Sequence, residues 1–205
     1  ITRVCIGHAI MVTPLQLLRA YCMLANGGYP VQMRMIDAIE DEKNGKIKQP
    51  YYIGEQSIFK NPATHREVIR MLKTVTKPGG TSSQAAVPGF EVAGKTGTAN
   101  KIENGRYVTG KYFASFCGFI PADNPKFVVV ITCDEPTGDK RFGGSTSGPA
   151  FARIAKRTLN YMDVQPDMTM QEWEKMISDA KKQSRLDMIK RENDRRAALG
   201  MKPMQ

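Results

Sequence analysis

The run FVVVIT, Phe127 to Thr132, is apolar at nearly every consecutive position, and it constrains the fold more than any other stretch. A strand wet on one face alternates apolar and polar residues; a strand without alternation is covered on both faces. The flanking sequence supplies its partners. Gly89 to Thr98 reads as a first strand, Asn104-Gly105 as a turn and Arg106 to Ile120 as the span of a second strand; "PADNP" turns the chain again into a third strand, Lys126 to Cys133. These signals predict an antiparallel sheet with helices on both faces, an α+β fold.

The helices are signalled by their ends. In VTPLQLLRAYCMLANGG, Thr13 fits an N-cap, Pro14 the first helical position and Gln16 the far side of a capping box, with Gly27 as the stop. Leu15, Leu18, Cys22 and Ala25 share the face expected to be buried. VQMRMIDAIEDEKNGKIKQP predicts two strands around Asn44-Gly45. NPATHREVIRMLKTVTKPGG predicts a helix starting near Pro62, with Val68, Met71, Leu72 and Val75 inward and Gly79-Gly80 closing it. GGSTSGPAFARIAKRTLNYM predicts another, entered through Gly143-Gly144 and Pro149.

After Pro166 the composition shifts. A Thr169/Glu172 capping box opens a highly charged helix ending at Gly200, with a short apolar stripe of Trp173, Met176, Ile177 and Ala180. Residues 1–166 thus read as one folded portion. Residues 167–205 read as a charged helical tail, docked in its first half and solvated in its second.

Charge narrows the partners. The chain carries 30 Lys and Arg against 20 Asp and Glu, a net +10, yet from Asp167 onward there are nine against seven. The excess lies on the folded portion and favours anionic partners such as a carboxylate-bearing substrate. No basic signature with interleaved aromatics is present, so nucleic acid is not an expected partner. Cys5, Cys22, Cys117 and Cys133 stand alone, and His8 and His65 are the two histidines. A zinc site or a disulfide framework is therefore not expected, no cofactor is implied, and His8 and the cysteines read as packing residues. No apolar run reaches about 18 residues and no signal peptide is evident. The chain starts at Ile1 and reads as a piece of something longer.

The candidate site is Gly94-Lys95-Thr96-Gly97-Thr98. Glycine and an unpaired lysine weaken a strand, and a strand that breaks local rules is often one that faces a ligand. Alternation sends Lys95 and Gly97 one way and Thr96 and Thr98 the other. Twist at a sheet edge can still bring the lysine charge and a threonine hydroxyl towards one anionic group. Gly97 leaves bare backbone along which a substrate can lie as an added strand, and the Thr98 N–H is available to a developing oxyanion. A Lys-Thr-Gly triplet arises by chance in about 5% of chains of this length, so context decides its meaning.

The context is the block VAGKTGTAN, then a hairpin, then YFASFCGFIPADNPKFVVVITCDEP, then GGSTSGPAFARIAKRTLNYM, with IGHAIMVTPLQLLRAYCMLANGG upstream. In this order the blocks closely resemble the C-terminal half of the transpeptidase domain in class B penicillin-binding proteins, especially the septal, cell-division type, from about Ile1 to Pro166. The resemblance implies the penicillin-binding-protein/serine β-lactamase-like fold, incomplete at the N-terminus, with the charged helix added at the C-terminus. It implies a serine-type D,D-transpeptidase that cross-links peptidoglycan stem peptides through an acyl-serine enzyme and that β-lactams acylate. Lys95 would supply positive potential, Thr96 and Thr98 hydroxyls would bind the carboxylate beside Gly97, and the Thr98 N–H would share the oxyanion hole. The parent would work on the periplasmic, extracytoplasmic face of the bacterial inner membrane, held by an N-terminal anchor and assembled with divisome or other cell-wall synthesis proteins. The rival readings are a non-catalytic interaction module on a transpeptidase scaffold and a β-lactamase or β-lactam-sensor relative; the TPLQ helix and the DNPKFVVV strand favour the transpeptidase.

In this family Lys-Thr-Gly follows S-x-x-K and S-x-N along the chain. No S-x-N triplet occurs here, and the S-x-x-K matches are Ser57–Lys60 and Ser178–Lys181. Pro62 disfavours helix at Asn61, so Ser57 cannot open a helix that carries Lys60 onward. Ser178 lies beyond Lys-Thr-Gly, in the tail. Neither aligns, so the nucleophile is expected upstream of Ile1 and the 205 residues alone are expected to be inactive.

Overall fold

The computed structural model describes residues 10–41, 43, 45–48, 50–138 and 141–203. Cys5, His8 and Asn44 lie outside the described residues. In chain order the elements are α1 (Pro14–Ala25), β1 (Ala38–Asp41), β2 (Gly45–Lys48), α2 (Pro62–Thr74), β3 (Ala93–Glu103), β4 (Arg106–Ile120), β5 (Phe127–Asp134), α3 (Gly143–Tyr161) and α4 (Met170–Ala198). β3, β4 and β5 form an antiparallel sheet in that order, and β1 and β2 a separate hairpin.

Both faces of the larger sheet are covered, as its unbroken apolar strand requires. Phe116 and Ile120 of β4, with Phe127, Val129 and Ile131 of β5, pack against Phe151, Ala155 and Leu159 of α3. The Phe116 and Phe151 rings meet at 4.7 Å, tilted by 58°. On the opposite face Cys117 and Phe119, with Val128 and Val130, meet Leu17, Tyr21 and Leu24 of α1 and Ile69 and Leu72 of α2. Consecutive β5 residues therefore feed two cores. Each fully buried large apolar side chain contributes about 1.5–3 kcal/mol, so the two cores together hold the sheet against both helical layers.

The helix starts follow their local chemistry. Thr13 accepts from the Gln16 N–H at 3.2 Å and its own N–H donates to the Gln16 side chain at 2.8 Å, completing the box. The Asn61 side chain accepts from the Ala63 N–H at 2.8 Å, so α2 opens at Pro62. The expected stripes hold in part: Ala25 of α1 and Leu72 of α2 pack on the core beneath these helices, and Val75 packs on the core under α3. α1 buries Tyr21 and packs the half-buried Leu17 and Leu24 beside it, whereas Leu15 stays 49% exposed. Helical periodicity allows either stripe, and contact with Cys117 and Phe119 selects the one carrying Tyr21. In α2 the buried residue is Ile69, and Met71 is exposed.

The first strand begins later than predicted, at Ala93. Gly89 takes φ +83, and the Phe90 N–H donates to the Val87 carbonyl at 3.1 Å, closing a turn that precedes the strand. The tail docks on this turn. The Met168 N–H donates to the Gly89 carbonyl at 3.3 Å, and the Asp167 carboxylate accepts from the Glu91 N–H at 3.1 Å. Trp173, Met176 and Ile177 of α4 then close over Lys73, Thr76, Phe90, Glu91 and Val92. Ser184 of α4 abuts Gly79, leaving no room there for a side chain.

Candidate active-site wall

β3 is an edge of the three-stranded sheet, paired to β4 on one side, so alternate backbone groups face away from the sheet among the described residues. Lys95 lies opposite Cys117, Thr96 opposite Phe116, Gly97 opposite Ser115 and Thr98 opposite Ala114. Cys117 belongs to the core under α1 and α2, Phe116 to the core under α3. Lys95 and Gly97 therefore project on the α1–α2 side, Thr96 and Thr98 on the α3 side.

The side chains nonetheless converge at the edge. The Lys95 ammonium donates to the Thr96 carbonyl at 3.0 Å and to Thr96 Oγ1 at 3.3 Å. No carboxylate pairs with Lys95 among the described residues, whereas Lys101, further along the same strand, is held by Asp134 at 2.9 Å and Glu135 at 2.8 Å. Thr96 Oγ1 donates in turn to Thr81 Oγ1 at 3.1 Å. Thr98 Oγ1 accepts from the Gly143 N–H at 3.0 Å, tying the strand to the first residue of α3.

These hydroxyls line one groove, with Thr81, Ser83, Gln84, Phe142, Gly144 and Ser145 completing it. Its floor is the N-terminal turn of a 19-residue helix with no acidic residue in that turn. An ammonium with no carboxylate partner among the described residues, several hydroxyls and a helix N-terminus all favour an anion of carboxylate size.

The strand is anchored just upstream of the groove. Glu91 binds Lys73 at 2.7 Å and Lys77 at 3.1 Å, and Lys73 also binds Asp123 at 2.6 Å. Burial pushes the Glu91 carboxyl up, but its bonds to the two lysines outweigh this and hold it below its ordinary value. Burial opposes the charge of Lys73, and its bonds to Asp123 and Glu91 still raise its pKa. Asp167 is pushed up by its burial.

Other candidate groups carry structural roles. Burial drives the Cys117 thiol far above its ordinary value, with Cys22 adding to the effect, so it is a neutral filler behind Lys95. Ser57 donates to the Gly27 carbonyl at 2.8 Å and accepts from the Phe59 N–H at 3.1 Å, in an irregular segment. Ser178 sits on the exposed side of α4. Neither opens a helix at the groove.

The groove also contains residues the sequence did not single out, Thr81, Phe142 and Ser145, and Gly143, which the sequence marked only as a helix entry, donates its N–H to Thr98. KPGGT carries a stop signal and GGSTS a helix-entry signal. That both bends return to β3 is a tertiary fact that neither signal encodes.

Residues 1–156 match the model of the penicillin binding protein transpeptidase domain, and the chain belongs to that family. It is 40% identical over 160 residues to the probable peptidoglycan D,D-transpeptidase PenA of Neisseria meningitidis serogroup A, covering 78% of this chain and 26% of that protein. It is 35% identical over 164 residues to the peptidoglycan D,D-transpeptidase FtsI of Escherichia coli K12, again covering 78% of this chain and 25% of the relative. The chain thus spans about a quarter of the length of these curated relatives. Among solved structures it is similar to the transpeptidase domain of penicillin-binding protein 3 from Burkholderia pseudomallei, with 39% identity, a TM-score of 0.63 and coverage of 80% of this chain and 46% of that one. Penicillin-binding protein 3 from Mycobacterium tuberculosis in complex with ampicillin gives 31% identity, a TM-score of 0.69 and coverage of 78% and 37%. The α+β fold is that of the penicillin-binding transpeptidases. The family model ends at Lys156, within α3.

Proposed function

We propose that this chain is the carboxylate-binding wall of a peptidoglycan D,D-transpeptidase. The observation that carries the reading is Lys95: an ammonium without a carboxylate partner among the described residues, 3.3 Å from a threonine hydroxyl on an open sheet edge. Lys95 supplies positive potential, the Thr96 and Thr98 hydroxyls hold the terminal carboxylate of a D-alanyl-D-alanine stem peptide, and the peptide lies along β3 beside Gly97. The Thr98 N–H contributes to the oxyanion hole.

The chemistry requires a serine from an S-x-x-K element outside these 205 residues. Its oxygen attacks the carbonyl carbon of the penultimate D-alanine, giving a tetrahedral oxyanion. The C–N bond breaks, and terminal D-alanine leaves with a proton on its nitrogen. An amine of a second stem then attacks the acyl ester, forming the cross-link and returning the serine. A β-lactam enters the same sequence but keeps its leaving nitrogen tethered. The work takes place on the periplasmic side of the inner membrane with other cell-wall synthesis proteins as partners; no described helix is long and apolar enough to cross a membrane.

Fluorescent penicillin tests this in two steps. The full-length protein is expected to label, and Lys95→Ala to slow labelling about a hundredfold, the scale for a group acting on developing charge. The 205-residue chain alone is expected not to label. Unchanged labelling by Lys95→Ala would remove Lys95 from the site, and stable labelling of the short chain would place the nucleophile within it.

A further inference from the structure

We infer that Thr81 is a positioning residue for the carboxylate site, setting the direction in which Thr96 donates its proton. The inference rests on the proposed function of the Lys95–Thr98 strand and names a member of the site outside it.

The Thr96 hydroxyl has one proton and two lone pairs. Lys95 is an ammonium and can only donate, so it occupies one lone pair of Thr96 Oγ1, at 3.3 Å. Thr81 Oγ1 lies 3.1 Å from the same oxygen and accepts the Thr96 proton. When a carboxylate enters, its oxygens can only accept, so the Thr96 proton must turn towards them. The Thr81 hydroxyl then rotates and donates into the second Thr96 lone pair. With both lone pairs filled, the Thr96 O–H has one direction left, into the groove. The chain Lys95, Thr96, Thr81 also polarises that O–H, which strengthens a hydrogen bond to an anion.

Thr81 is held well enough to do this. The Gly80 N–H donates to the Lys77 carbonyl at 2.9 Å and the Ser82 N–H to the Val75 carbonyl at 2.9 Å, fixing the loop to the end of α2. The buried Ser82 hydroxyl donates to the Gly144 carbonyl at 3.3 Å, and the Thr81 carbonyl abuts Gly144 at the start of α3. Ser184 of α4 closes on Gly79 from outside. Three helices thus clamp the loop, while the Thr81 side chain stays open to the groove.

The test uses the full-length protein with benzylpenicillin and its methyl ester, which lacks the anionic carboxylate. Thr81→Val keeps the shape and removes the hydroxyl; Thr81→Ser keeps the hydroxyl. Thr81→Val is expected to lower the acylation rate constant for benzylpenicillin about five- to tenfold, the scale of one hydrogen bond, while leaving the ester's rate unchanged. Thr81→Ser is expected to restore the carboxylate preference. If Thr81→Val matches the wild type on both compounds while Thr96→Val loses the preference, the Thr81 role is overturned and the carboxylate site stands. If Thr81→Val slows both compounds equally, or Thr81→Ser fails to rescue, the residue is structural and the inference falls. If neither Thr81→Val nor Thr96→Val changes the ratio, the carboxylate site itself falls and takes Thr81 with it.

Discussion

Gly97 and Gly143 both stand where a Cβ has no room, but their neighbours differ in what can yield. A Cβ on Gly97 would meet the Ser115 hydroxyl, the end of a side chain that can turn to another rotamer. A Cβ on Gly143 would meet the carbonyls of Ser115 and Gly97, which are backbone atoms of paired strands. Neither carbonyl can move alone, so the start of α3 must shift, and with it the N–H that holds Thr98 at 3.0 Å. Gly143→Ala is expected to cost about 2–3 kcal/mol in urea unfolding, and Gly97→Ala about 1 kcal/mol or less. In the full-length protein Gly143→Ala should also slow acylation by penicillin at least about tenfold, because a displacement near 1 Å spoils a preorganised site. An equal loss of stability in the two variants would show that rotamer freedom at Ser115 is not what separates them. The Lys-Thr-Gly triplet was legible because lysine and glycine are scarce in strands and the blocks around it gave it a context; Gly143 read only as a helix entry, since its neighbours come from strands 28 and 46 residues away along the chain.

Between elements, Glu91 is the joint. It receives Lys73 from α2 and Lys77 from the segment after it; Lys73 also reaches Asp123 in the turn between β4 and β5. Glu91→Gln removes a charge-assisted pair whose side chains are only 16% and 19% exposed, and should cost about 2 kcal/mol at neutral pH. The sign of its pH dependence follows from the lowered pKa. The folded protein binds the Glu91 proton less readily than the unfolded chain, so the stabilisation is full above the ordinary value of 4.5 and is lost as pH falls through the lower folded value. Lys73 mirrors this: its raised pKa stabilises below 10.5 and the contribution is lost at higher pH. Urea midpoints of wild type and Glu91→Gln should therefore converge as pH drops below 4.5, and a gap that persists into strong acid would exclude the ion pair as its source. The contrast with the caps explains what sequence reading reached. Thr13 and Gln16 are three residues apart and declare a helix start, whereas Lys73, Glu91 and Asp123 meet only after the chain has folded. On α1 the centre of the stripe moved to Tyr21 for the same reason, and on α2 Ile69 took the place of Met71 beside Leu72 and Val75: period fixes that a face exists, and the partner fixes its centre.

At the scale of the whole molecule, the apolar run of β5 announced the layered architecture, because a strand without alternation demands cover on both faces. The tail was legible as a capped helix with a short apolar stripe, but not its footing, which depends on Gly89, Glu91 and Gly79 arriving under it. Those contacts place α4 against the turn that leads into β3 and the loop carrying Thr81. The docking residues Trp173, Met176 and Ile177 lie in the first two turns, so truncation should separate the two halves of α4. Removing residues 190–205 leaves Ser184 and the stripe in place and should change stability by less than about 1 kcal/mol. Removing residues 168–205 uncovers Phe90 and Val92 and frees Gly89 from Met168; it should cost about 3 kcal/mol or more, on the scale of deleting a large packed aromatic with its neighbours. The longer deletion should also slow acylation by penicillin in the full-length protein, since the turn that launches β3 loses its outer wall. Measured at a temperature where both truncated proteins remain folded, equal acylation rates would show that α4 protects the fold without shaping the groove; a loss confined to the longer deletion makes the tail part of the frame that holds Lys95 and Thr96 in register.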